Sequence, residues 1–110
     1  MGYYVITRTS DSQFMFNLLA DNHEKILTSE RYTEKRNCLN GIASVQKNSP
    51  HDKNYDRLTS KRGSPYFTLK SGDNGQVIGV SEEYSSTSAR ETGIASCKVN
   101  GPTTDIRDKS

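Results

Sequence analysis

Gly41-Ile42-Ala43-Ser44-Val45 returns as Gly93-Ile94-Ala95-Ser96-Cys97, a shift of 52 residues. The same shift carries Ser29-Glu30-Arg31-Tyr32 onto Ser81-Glu82-Glu83-Tyr84, and Asn48-Ser49-Pro50 onto Asn100-Gly101-Pro102. Upstream, Tyr4, Phe16 and Leu18 return as Tyr55, Phe67 and Leu69 at a shift of 51. The one-residue difference falls in a turn, where Lys70-Ser71-Gly72-Asp73-Asn74-Gly75 is longer than Leu19-Ala20-Asp21-Asn22-His23. Self-similarity at a fixed period marks a tandem duplication, here with a loop insertion in the second copy.

Each copy carries the same series of local signals. Tyr3 to Thr9 alternates β-branched and polar residues, and Gln13 to Leu19 places Phe14, Phe16 and Leu18 on one face at period two; both are strand patterns. Asp21-Asn22-His23 and Asp73-Asn74-Gly75 are hairpin-turn chemistry, because Asn and Gly accept positive φ. Lys25 to Glu30 and Gln76 to Glu82 supply a third strand. Helices follow over 34–48 and 86–100, with Cys38, Leu39, Ile42 and Val45 on an apolar stripe. Thr33 and Ser85 are the expected N-caps, with Ser88-Ala89-Arg90-Glu91 a competing capping box; Asn48 with Pro50, and Asn100-Gly101 with Pro102, are the stops. The fold expected is α+β, a β-β-β-α unit twice over. Residues 1–110 form one domain, with repeats at 3–50 and 54–102 and a closing strand at 103–108. A unit of ~50 residues is near the lower limit for folding alone, so the copies should complete one core as a pseudo-dimer. In the closing strand Ile106 is expected to point inward, with Asp105 and Arg107 in water.

Phe16-Asn17-Leu18, Ile26-Leu27-Thr28-Ser29-Glu30, the two Gly-Ile-Ala-Ser runs, Asn48-Ser49-Pro50 and Arg90-Glu91-Thr92 carry a resemblance to the YegP-like bacterial proteins. The resemblance covers nearly the whole chain. It implies a β-β-β-α-β unit paired in tandem, with the last strands exchanged about a pseudo-twofold axis, and it implies no activity. The chain departs from the pattern where Pro65 replaces the Phe14 of copy one, and in its longer 70–75 turn.

Composition narrows the function classes. Fifteen Lys and Arg against thirteen Asp and Glu give a net charge of +2, which excludes a polybasic tail or a strongly steering field. No apolar run approaches the ~20 residues of a membrane helix, and the first residues have no secretory pattern. Two cysteines without a CxxC spacing make no disulfide framework, so a soluble protein of the reducing cytoplasm is expected.

Several groups invite a chemical reading. Ser29, Glu30 and Tyr32, repeated as Ser81, Glu82 and Tyr84, offer a hydroxyl, a carboxylate and a phenol that could line a small-molecule pocket in each copy. Equally, both copies need a strand-to-helix junction in which such residues bond backbone and pack. No base accompanies either serine, so nucleophilic catalysis finds no support. Lys53, Arg57, Lys61 and Arg62 surround Tyr55 and could follow a phosphate backbone, but Asp52 and Asp56 lie among them and no RNA- or DNA-binding signature accompanies them. His23 and His51 read as solvated loop residues and Cys38 and Cys97 as inert thiols, leaving no metal site and no cofactor motif. Gly41 and Gly93 sit inside helices at a cost of ~1 kcal/mol each, which calls for close approach of the sheet or a second helix. The function these features favour is a non-enzymatic binding module, acting as a monomer through a surface of approximate twofold symmetry toward another protein.

Overall fold

The computed structural model describes residues 1–110. Copy one contributes β1 (Tyr3–Arg8), β2 (Phe14–Leu19), β3 (Lys25–Ser29) and α1 (Lys35–Asn48); copy two contributes β4 (Tyr55–Thr59), β5 (Pro65–Lys70), β6 (Val77–Val80) and α2 (Thr87–Asn100). A short 3-10 turn, Asp52–Asn54, joins them, and β7 (Ile106–Asp108) closes the chain. All seven strands form one sheet in the order β4-β5-β6-β3-β2-β1-β7. Its centre is the antiparallel pair β3 and β6, where Thr28 stands opposite Val80. These two are duplication counterparts, so the pseudo-twofold axis passes between them. The order then reads outward as counterparts on both sides until β7, which has none.

The apolar faces of the strands meet the helices in one core. Tyr4, Ile6, Phe16 and Leu18 are sealed by Cys38, Ile42 and Val45, while Tyr55, Phe67 and Leu69 are sealed by Ile94 and Cys97. Edge-to-face pairs repeat in both halves, Tyr4 with Phe16 at 5.8 Å and Tyr55 with Phe67 at 5.6 Å. The buried phenols also latch the helix ends: Tyr4 donates to Gly101 O and Tyr55 to Ser49 O, each at 2.6 Å. The hairpin turns take the positive φ their sequences suit, 69° at His23 and 72° at its counterpart Gly75.

The structure corrects three expectations. The caps fall one residue later than expected, at Glu34 and Ser86; Ser86 accepts from Ala89 N, Glu34 makes no cap bond, and Ser88 is already inside α2. Both caps shift together because the three-dimensional path from the third strand to the helix, common to both copies, outweighs the local preference for Thr33. Ile106 stands opposite Tyr4 on the helical face, as alternation predicts, but it is 39% exposed and so supplies little of the burial expected of it. The tail is a three-residue edge strand lying parallel to β1, and its hold is polar. Tyr4 N donates to Asp105 O and Lys109 N to Ile6 O, both at 2.8 Å, and Lys35 pairs with Asp108. The third correction concerns His23, whose Nδ1 lies 2.6 Å from the Tyr3 hydroxyl and is therefore not simply solvated. Pro65 has a modest effect: Phe14 and Tyr32 exchange two backbone bonds at 2.7 Å, while Pro65, without an N–H, keeps only the bond from Tyr84 N at 2.8 Å.

Candidate functional site

Two clefts open on the helical side of the sheet, and they are counterparts. The first, of about 460 Å³, lies between α1 and the β5–β6 hairpin of the other copy. Its helix wall is Asn37, Asn40, Gly41 and Ser44; Gln76 and Ile78 face them from the hairpin. The second, of about 510 Å³, lies between α2 and the β2–β3 hairpin, with Ala89, Thr92, Gly93 and Ser96 facing Glu24 and Ile26. A shift of 52 converts each of these positions in the first cleft into one in the second. Neither copy makes a cleft alone.

The helix glycines find their reason here. A Cβ at Gly41 would lie 2.5 Å from the Tyr32 hydroxyl and 3.0 Å from Phe16, and at Gly93 it would collide with the Tyr84 hydroxyl. The expected close approach is real, but the neighbour in both copies is the tyrosine of the preceding junction, with only Phe16 coming from the sheet. Tyr32 and Tyr84 line their clefts, and neither hydroxyl is hydrogen-bonded within the protein. Burial pushes the Tyr32 phenol up to about 12, helped by Glu30, and raises Tyr84 in the same direction, so both stay neutral donors and acceptors.

The other junction residues part company. Glu30 lines the first cleft, whereas Glu82 lines neither. Ser29 Oγ accepts from Phe16 N and donates to Glu30 O, at 2.9 and 2.7 Å; Ser81 Oγ does the same with Phe67 N and Glu82 O, at 2.9 and 2.8 Å. Both serines serve the backbone. Of the basic group, Arg57 is held by Asp52 and Glu91 at 2.9 and 3.0 Å, and Arg62 by Glu83 at 3.2 Å. Lys53 and Lys61 are exposed and make no ion pair. Cys38 and Cys97 are buried and unbridged, with both thiols pushed up to about 11 by burial.

Asn37, Asn40 and Gln76 were not among the residues singled out by sequence. The signal available was the spacing of Asn37, Asn40 and Ser44, which places three polar side chains on one stripe of α1. Gln76 carried no comparable signal, because it joins the stripe only through the docking of the opposite copy.

The Domain of unknown function DUF1508 matches twice, over residues 10–56 and 60–108. Each match starts ahead of β2 or β5 and runs through the helix into the strand after it. A UPF0339 protein of Bordetella pertussis is 57% identical over 109 residues, 99% of this chain and 96% of its own. UPF0339 protein YegP of Escherichia coli K12 is 46% identical over 99% of this chain and 98% of its own. Solution NMR structures agree with the fold. A UPF0339 protein of Shewanella oneidensis superposes with a TM-score of 0.91 at 50% identity, covering 97% of this chain and 90% of that one. The Escherichia coli yegP protein, of unknown function by its description, gives 0.92 at 46%, covering 98% and 92%.

Proposed function

The chain belongs to the DUF1508 family, and on that premise we propose that it is a non-catalytic binding module whose recognition sites are the two helix–hairpin clefts. The observation that carries this reading is that duplicated tyrosine hydroxyls, unpartnered in the protein, stand beside duplicated glycines in clefts each built from both copies. A concave site with a few convergent polar groups is the usual form of a ligand site. The linings have diverged: Asn37 and Asn40 in the first cleft are Ala89 and Thr92 in the second, and Val77 corresponds to Lys25. Two sites of different chemistry suit two ligands, or two parts of one asymmetric partner.

Competing readings draw less support. The serine hydroxyls are committed to backbone groups, leaving no nucleophile beside a base. A nucleic-acid phosphate at the 53–62 segment would have to displace Asp52, Glu91 and Glu83 from Arg57 and Arg62. The module acts as a monomer, since one chain completes both clefts, and its two free thiols suit a reducing cytoplasm.

The test is an NMR screen of the isotopically labelled full chain against a chemically diverse fragment library. Saturable shifts should gather on amides of α1 with the β5–β6 hairpin, and of α2 with the β2–β3 hairpin. Hits confined to the open sheet face or to the β4 edge, or no saturable hit at all, would overturn the reading.

A further inference from the structure

Resting on that reading, we propose that the first cleft binds a neutral polyhydroxylated ligand, a saccharide of one or two rings. Its free polar groups set the class. The side-chain amides of Asn37, Asn40 and Gln76 make no hydrogen bond within the protein, and neither do the Tyr32 hydroxyl and the Glu30 carboxylate. An amide presents an acceptor and two donors side by side. A sugar hydroxyl is both donor and acceptor, so neighbouring hydroxyls can satisfy such amides together. No Lys or Arg lines this cleft, and Glu30 is its one charged group, so an anion is repelled and no cation is offered a cluster of carboxylates.

The apolar part of the lining, Val77 and Ile78, suits the C–H surface of a ring. The hairpin wall is already ordered: Asn74 Oδ1 accepts from Gln76 N at 3.0 Å, and Gly75 N donates to Ser71 O at 2.9 Å. Such ordering lowers the cost of binding. An extended peptide fits less well, because β3 pairs with β6 at Gly79 and Val80 and leaves only Val77 and Ile78 of β6 uncovered, too short an edge for strand addition. The volume, about 460 Å³, lies within the range of small-ligand sites.

The second cleft is an internal control, since Ala89 and Thr92 stand where the first cleft has Asn37 and Asn40. The full chain would be titrated with glucose, N-acetylglucosamine and their β-1,4-linked disaccharides, with glucose 6-phosphate and glycerol as comparisons. At least one neutral saccharide should give saturable shifts at the side-chain amides of Asn37, Asn40 and Gln76, and leave Thr92 and Ser96 unmoved. Glucose 6-phosphate should bind more weakly than glucose, and glycerol should not saturate. The double substitution Asn37→Ala with Asn40→Thr, which copies the second cleft, should weaken binding more than tenfold at unchanged Tm. No saturable shift with any of the neutral sugars, a preference for the phosphate, or retained binding in the double variant would overturn the inference. Fragments occupying this cleft while sugars do not would reject the saccharide and leave the paired-cleft reading standing; failure of both rejects both.

Discussion

Leu27 and Gly79 are duplication counterparts that touch across the pseudo-twofold axis. A Cβ added to Gly79 would lie 2.6 Å from Leu27 Cγ. Ser49 and Gly101 repeat the relationship at the helix ends, where a Cβ on Gly101 would collide with the Ser49 side chain. On an axis each residue meets its own counterpart, so two large side chains collide and two small ones leave a void. Duplication within one chain permits one of each. Gly79→Leu should therefore cost about 1–3 kcal/mol of overpacking in urea unfolding. The reciprocal pair Leu27→Gly with Gly79→Leu should recover a substantial part of that loss. If the pair is no better than Gly79→Leu alone, Leu27 is not what excludes a side chain there.

Ser49 gives the opposite sign. Its hydroxyl is buried with no hydrogen-bond partner, while its Cβ packs beside Gly101. Ser49→Ala keeps the packing and removes an unsatisfied polar group, which should raise stability by roughly 1 kcal/mol. A fall in the urea midpoint would mean that the hydroxyl has a partner in solution.

Replacing Gly41 or Gly93 by Leu should destabilise despite a gain in helix propensity of ~1 kcal/mol, because the side chain must displace Tyr32 or Tyr84. Gly41→Ala should be less harmful in a Tyr32→Phe background than alone, since the hydroxyl is the nearest obstacle. Thermal melts of the unsubstituted chain, the leucine variants and the full Gly41→Ala, Tyr32→Phe cycle decide this. A stabilised Gly41→Leu would refute the close approach.

The sequence made the repeats, the strands and both helices legible because those features are local: period-two alternation in Phe14–Leu19, an apolar stripe in Lys35–Asn48, and a 52-residue echo of each. The clefts were half legible. Tyr32, Tyr84 and Glu30 stood out by repetition, but Gln76 faces Asn40 across the cleft only because β3 pairs with β6 over two matched positions, Thr28 with Val80 and Ser29 with Gly79, and nothing local encodes that docking. Ile106 misled for a related reason. Alternation places Ile106 on the face of Tyr4, but it does not say how much of a three-residue edge strand the core buries, and there Ile106 stays 39% exposed.

Acid should loosen the second copy's edge through Asp52. Lys98 and Arg57 hold its carboxyl down at about 2, below the ordinary ~3.9. A depressed folded value contributes stability above pH ~4, and that contribution is lost as pH falls through about 2. Asp52→Asn should flatten the pH dependence of the urea midpoint between those limits, while direct NMR titration of the carboxyl should find it still ionised near pH 3. An Asp52 titrating near 4 would mean that the Lys98 and Arg57 contacts do not persist in solution.

The two outer strands show why the tail belongs to the fold. Ile6 and Cys38, beside β7, are fully buried, and their counterparts, Arg57 on the uncovered β4 and Arg90 on α2, are charged and share Glu91. An open edge blunted by charge resists pairing with other chains, and an apolar one invites it. Ending the chain at Gly101 removes the bonds to Tyr4 N and Ile6 O and the pair with Lys35, uncovering the apolar edge. The truncated chain should melt lower, self-associate in sedimentation, and expose Cys38 to thiol reagents that the full chain excludes. Glu91 has Leu39 as its counterpart, so Ile6→Arg with Leu39→Glu transfers the charged solution of β4 onto β1. In the truncated chain that pair should restore the monomer even where it does not restore the Tm. A truncation that stays monomeric, melts with the full chain and keeps Cys38 protected would make the tail a free extension.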